Sequence, residues 1–81
     1  SYIISRRTTV KIHVEMDKSS MAPSMVNEQI QKRNIPREDL RYQSEERKLI
    51  TIFEYTASKK ELDKLIRKLS SIEGVISVYS M

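Results

Sequence analysis

The stretch SKKELDKLIRKLSSIEGVISVY, residues 58–79, decides how the chain is read. Leu62, Leu65, Ile66 and Leu69 recur at i, i+3, i+4 and i+7, the spacing of one helical stripe. Lys59, Lys60, Asp63, Lys64, Arg67 and Lys68 fall on the opposite, wet side. Ser58 and Glu61 have the capping-box spacing: the hydroxyl accepts a free backbone N–H while the carboxylate reaches back. The helical pattern then meets Gly74, the single glycine of 81 residues. Without a Cβ, that position turns the chain at no steric cost. VISVY, residues 75–79, follows as a short apolar strand. The pattern is therefore a helix, a glycine hinge and a closing strand.

Upstream, KLITIFEYTA (48–57) is the most strand-like run. Leu49, Thr51, Phe53 and Tyr55 share one side, and Ile50, Ile52 and Glu54 the other. Both sides are partly apolar, so periodicity does not choose the buried one. EDLRYQSEE (38–46) alternates through Leu40, Tyr42 and Ser44. The polar link SEERK joins it to the next strand as a hairpin, with no Asn-Gly or Asp-Gly to fix the turn type. TTVKIHVEM (8–16) alternates with period two. Thr8, Val10, Ile12, Val14 and Met16 lie on one face, and Thr9, Lys11, His13 and Glu15 on the other. Between these runs, DKSSMAPSMVNEQIQKRNIP (17–36) predicts a helix over 22–33. Its stripe is Met21, Met25, Val26 and Ile30, with Asn34 at the C-terminal cap and Pro36 as the stop. Met16, Met21 and Met25 are expected to fill gaps in the core.

The element order is β-α-β-β-α-β. It predicts an α+β, ferredoxin-like sandwich: a four-stranded antiparallel sheet with two helices on one face and strands one and three in the middle. Residues 1–7 read as a linker or tag-derived tail and 8–81 as the domain. The sheet's second face is left open. Lys11, His13 and Glu15 belong there, with either Ile50 and Ile52 or Phe53 and Tyr55. The expected pairing surface is Lys11, His13, Glu15, Phe53 and Tyr55.

Composition narrows the function classes. With no cysteine there is no disulfide frame, thiolate metal site or cysteine nucleophile. A zinc site needs more nitrogen or sulfur ligands than one histidine supplies. No phosphate-cradling loop or nucleophile–base pair is visible, so no catalytic residues, metal site or cofactor are expected. Fifteen Lys+Arg against 11 Asp+Glu give a formal charge of +4. The basic residues are spread, the densest pairs being Arg6-Arg7, Lys32-Arg33 and Lys59-Lys60. No apolar run reaches the length of a membrane span. Just after the first strand, Asp17, Ser19 and Ser20 either cap the first helix or contact a small ligand at its N-terminus. Glu45-Glu46 reads as solvated turn rather than a cation site.

The tail LDKLIRKLSSIEGVISVY resembles ACT and ACT-like regulatory domains, in which the second helix runs into a "GV..V" closing strand. Amino-acid-binding members usually carry a glycine turn after strand one. Here that segment reads MDKSSMAPSM, without glycine. The chain more narrowly resembles the ACT-like C-terminal cytoplasmic domain of the MgtC/SapB family of inner-membrane proteins. SYIISRRTTVKIHVEM looks like the passage from a membrane-proximal linker into strand one. That resemblance implies a non-catalytic regulatory module of a larger bacterial protein associated with magnesium homeostasis. It also implies a cytoplasmic location and a membrane link only through the parent chain. Expected partners are a second copy, the rest of the parent chain or a small-molecule effector. The alternative is a nucleic-acid-binding ferredoxin-like domain, which needs basic residues and aromatics clustered on the open face. "KLITIFEY" lacks that family's glycine-and-aromatic pattern, so nucleic acid is not an expected partner. A third class, a small dimeric enzyme, has only His13 to offer.

Overall fold

A computed structural model describes residues 6–81. The elements run β1 (Thr8–Asp17), α1 (Ala22–Lys32), a 3-10 turn (Arg37–Asp39), β2 (Arg41–Ser44), β3 (Lys48–Ala57), α2 (Lys59–Ser70) and β4 (Val75–Ser80). The sheet order is β2-β3-β1-β4, and every pairing is antiparallel. This is the expected ferredoxin-like sandwich with β1 and β3 at the centre. Of the leading segment, residues 1–5 lie outside the described residues. Arg7 is anchored to the domain: its guanidinium donates to Glu61 Oε1 at 2.9 Å and to the Thr56 carbonyl at 3.0 Å.

The register settles the ambiguity of β3. Ile12 lies opposite Phe53, Val14 opposite Thr51, and Met16 opposite Leu49. Ile12, Val14 and Met16 are fully buried under the helices, so Phe53, Thr51 and Leu49 share that side. Leu65 and Leu69 of α2 and Ala22, Val26 and Ile30 of α1 close the core from above. The assignment of Phe53 and Tyr55 to the open face is thereby corrected. Phe53 is 1% exposed and belongs to the core, and Tyr55 packs against it. Ile50 and Ile52 lie on the open side, across from Glu15 and His13.

Two further expectations change. The α1 stripe is Ala22, Val26 and Ile30, while Met21 and Met25 are 72% and 44% exposed. Small Ala22 lets the helix N-terminus sit close to the sheet, which turns both methionines outward. The β2 pattern is shorter than the alternation implied. Arg37–Asp39 forms a 3-10 turn behind Pro36, with Glu38 and Asp39 in its first turn, and only Arg41–Ser44 pairs with β3. The capping box of α2 is present in full: Glu61 N donates to Ser58 Oγ at 3.2 Å and Ser58 N donates to Glu61 Oε1 at 3.0 Å. Asn34 takes φ 58°, the left-handed conformation suited to ending α1.

Gly74 does more than turn the chain. Its φ is +95°, and a Cβ built there would overlap the Ser20 side chain and lie 3.1 Å from Ala22 Cβ. Its carbonyl accepts from Asp17 N at 2.7 Å. The link from α2 to β4 is therefore tied to the end of β1 and packed against Ser20 of the loop that follows it.

Candidate functional site

The β1–α1 loop is shaped by its own side chains. Asp17 closes an Asx turn: its Oδ1 accepts from Ser19 N at 3.0 Å and from Ser19 Oγ at 2.8 Å. Those donors, the backbone N–H first and the hydroxyl second, hold the Asp17 carboxyl below its ordinary value. Ser20 Oγ donates to the Asp17 carbonyl at 2.8 Å and accepts from Ala22 N at 3.1 Å. It thus satisfies one free N–H at the start of α1. Lys18 N donates to the Arg47 carbonyl at 3.1 Å, which ties the loop to the β2–β3 hairpin.

Between loop and hairpin lies an open groove of about 930 Å³. Asp17, Lys18, Ser19, Glu45, Glu46, Arg47 and Lys48 line it, with Ile76 of β4 as its apolar wall. Three acids and three bases face one space, and Ile76 is 61% exposed. Such a lining suits a small ligand carrying both charges or several polar groups. The structure brings Asp17 and Ser19 of the expected ligand set into this groove. Ser20 lies apart from it, against Gly74, with its hydroxyl already engaged. The hairpin residues Arg47 and Lys48 and the apolar Ile76 were missed in the sequence. Only the fold brings them to Asp17, through the Asp17–Lys48 pair of the β1–β3 ladder.

The open sheet face holds Lys11, His13 and Glu15, as expected. His13 stacks on Tyr79 of β4, with ring centroids 4.9 Å apart and planes 10° from parallel. The Tyr79 hydroxyl donates to Glu15 Oε1 at 3.4 Å, and Lys48 Nζ lies 3.7 Å from Glu15 Oε2. His13 Nδ1 is shielded and has no hydrogen-bond partner among the described residues. A second, smaller groove of about 530 Å³ crosses this face and is lined by Lys11, His13, Asp39, Arg41, Ile52, Phe53 and Glu54. Ile50, 6% exposed, is sealed on this face by its neighbours rather than by a helix. Among the described residues no three His, Cys, Asp or Glu side chains gather to hold a metal ion. Among the same residues no helix is long and apolar enough to cross a membrane.

No protein-family model matches the chain, and no curated protein does. Solved structures share its fold, among them two of one ACT domain. One is the crystal structure of the ACT domain from the GTP pyrophosphokinase of Chlorobium tepidum. It aligns with a TM-score of 0.75 and 14% identity over 94% of this chain and 100% of that one. The solution NMR structure of the same domain aligns at 0.77 and 13%, over 93% and 86%. The chain thus has the fold of ACT domains, in agreement with the resemblance carried by its tail.

Proposed function

We propose that the domain is a non-catalytic regulatory and assembly module that senses a small polar ligand in the groove beside Asp17 and Ser19. The observation that carries this reading is the groove of mixed charge at the end of β1. Its floor is the loop pinned through Asp17 N to Gly74. A ligand that shifts the loop acts directly on the end of α2 and the start of β4. Binding at one end thereby biases the packing of the helix layer.

Assembly is proposed through the open sheet face, with a second copy of the chain as partner. Lys11, Arg41 and Lys48 on that face are matched in number by Glu15, Asp17 and Glu54. Two copies related by a two-fold axis can therefore set unlike charges opposite one another. The same balance argues against the nucleic-acid alternative, which requires a basic stripe there. The parent proposed is an inner-membrane protein of the magnesium-homeostasis type, with this domain on the cytoplasmic side. Its support is the resemblance of the tail and of residues 1–16 to the MgtC/SapB family.

Light scattering over a concentration series, with and without magnesium and a mixture of amino acids, tests both parts. The reading expects a dimer whose population responds to one of these additions. A monomer whose mass and amide NMR spectrum ignore every addition overturns it.

A further inference from the structure

The formal charge of the chain is distributed very unevenly. The two helices, with Arg33 at the α1 C-cap, carry seven basic and three acidic residues. The rest of the chain carries eight of each, so the helix layer holds the whole +4. A groove of about 360 Å³ runs between the helices, lined by Gln29, Lys32, Arg33, Lys64 and Lys68. No acid lines it. Glu28 is drawn to Lys32 at 3.6 Å and Glu61 to Arg7 at 2.9 Å. Arg33 is held in place by the Gln29 carbonyl at 2.9 Å and the Gln29 Oε1 at 3.1 Å. Lys60, Lys64 and Lys68 repeat every four residues, which makes a cationic stripe about 12 Å long on α2.

The exposed methionines belong to the same region. Met25 precedes Gln29 by four residues, and Met21 precedes Met25 by four. They continue the groove-lining stripe of α1 toward its N-terminus. Turned outward by the close seat of Ala22, their adaptable thioether side chains suit a surface that receives another apolar side chain. Met25 thus lies on the same side of α1 as Gln29 of the groove, whose cations Arg33, Lys64 and Lys68 have no ion-pair partner among the described residues.

We infer that the helix layer docks an acidic amphipathic helix of a partner protein, laid along the groove between α1 and α2. Its leucine-type side chains rest on Met21 and Met25, and its carboxylates face Arg33, Lys64 and Lys68. This is helix-in-groove recognition. Electrostatics supplies orientation and on-rate, and the methionines supply the apolar anchor.

The test is a titration of the isotope-labelled domain with a synthetic helical peptide of about 18 residues, leucines at i, i+3, i+4 and i+7 and glutamates elsewhere. An isomer of the same composition with scrambled leucines is the control, and phosphatidylglycerol-containing vesicles are a further arm. The inference expects amide shifts confined to residues 21–33 and 60–68, with binding at least about tenfold weaker for the isomer. It also expects K64E/K68E to lose binding and Met25→Gln to weaken it severalfold while the melting temperature holds. Equal binding of the isomer reduces the effect to non-specific charge and overturns it. Binding of vesicles without the peptide assigns the face to a membrane surface and overturns it. No shift with the peptide, or shifts on the open sheet face, also overturns it.

Discussion

Replacing Gly74 by alanine is expected to remove most of the domain's stability. The residue sits at φ +95°, where an L side chain carries about 1–2 kcal/mol of strain. Its new Cβ would lie 2.8 Å from Ser20 Cβ and 3.1 Å from Ala22 Cβ, both on a stretch anchored at the start of α1. Forcing a methyl into packed surroundings costs about 1–3 kcal/mol. Ala restricts the unfolded chain more than Gly does, which returns about 0.4–1 kcal/mol. The net loss is about 1–4.5 kcal/mol, centred near 3, against the roughly 3–5 kcal/mol that one core gives a domain of this size. Urea denaturation followed by circular dichroism reads it directly. A second variant, Gly74→Ala with Ser20→Gly, removes the nearest obstruction but also the hydroxyl that accepts from Ala22 N, so it recovers at most part of the loss. A single-variant loss under about 1 kcal/mol would refute both the strain and the overlap.

Other expectations follow from the same geometry. Phe53→Ala should cost about 3–5 kcal/mol in chemical denaturation, because the ring is fully enclosed. Ile52→Ala, on the open face, should cost clearly less, and equal losses would contradict the register described. Ser58→Ala should cost about 1 kcal/mol through loss of the α2 cap, read as a lower melting temperature. Glu61 is held below its ordinary value by the Ser58 N–H first, with Arg7 contributing, and Asp17 is held low by Ser19. Depressed carboxylates stabilise the fold above their unfolded values. That contribution is lost as pH falls through the ordinary carboxylate range and into the lowered folded values. Melting temperature should therefore be level near neutrality and fall in acid, with a smaller fall for Asp17→Asn and Glu61→Gln. An acid limb of unchanged slope in both variants would contradict this.

Much of the fold was legible because its signals are local. The period-two run of β1, the Ser58–Glu61 spacing and the position of Gly74 each name an element without help from elsewhere. The side of β3 that faces the helices was not legible. Leu49, Phe53 and Tyr55 compete there with Ile50 and Ile52, and the polar Thr51 sits buried among the winners. Only the register against Ile12 and Val14 decides. Met21 and Met25 misled for a related reason: they are more hydrophobic in appearance than Ala22, yet Ala22 is the residue small enough to lie against the sheet. Asp17 and Ser19 were nominated because they follow a strand and precede a helix. Arg47, Lys48 and Ile76 were not, because they come to the groove from β-elements 30 and more positions away.

The pairing of β1 with β4 sets when the protein can finish folding. Ile12 is matched with Ser80 and Val14 with Val78, so the central strand waits for a partner more than 60 residues downstream. At about 5–20 residues per second, ribosomal synthesis leaves β1 with one open edge for several seconds. During that interval α1 and the β2–β3 hairpin can gather on the other side. The unpaired edge of β1 remains a template for any extended chain nearby until β4 arrives. Contacts this distant in sequence also favour folding in milliseconds to seconds over microseconds. The short strand behind Gly74 is thus the kinetic latch of the domain.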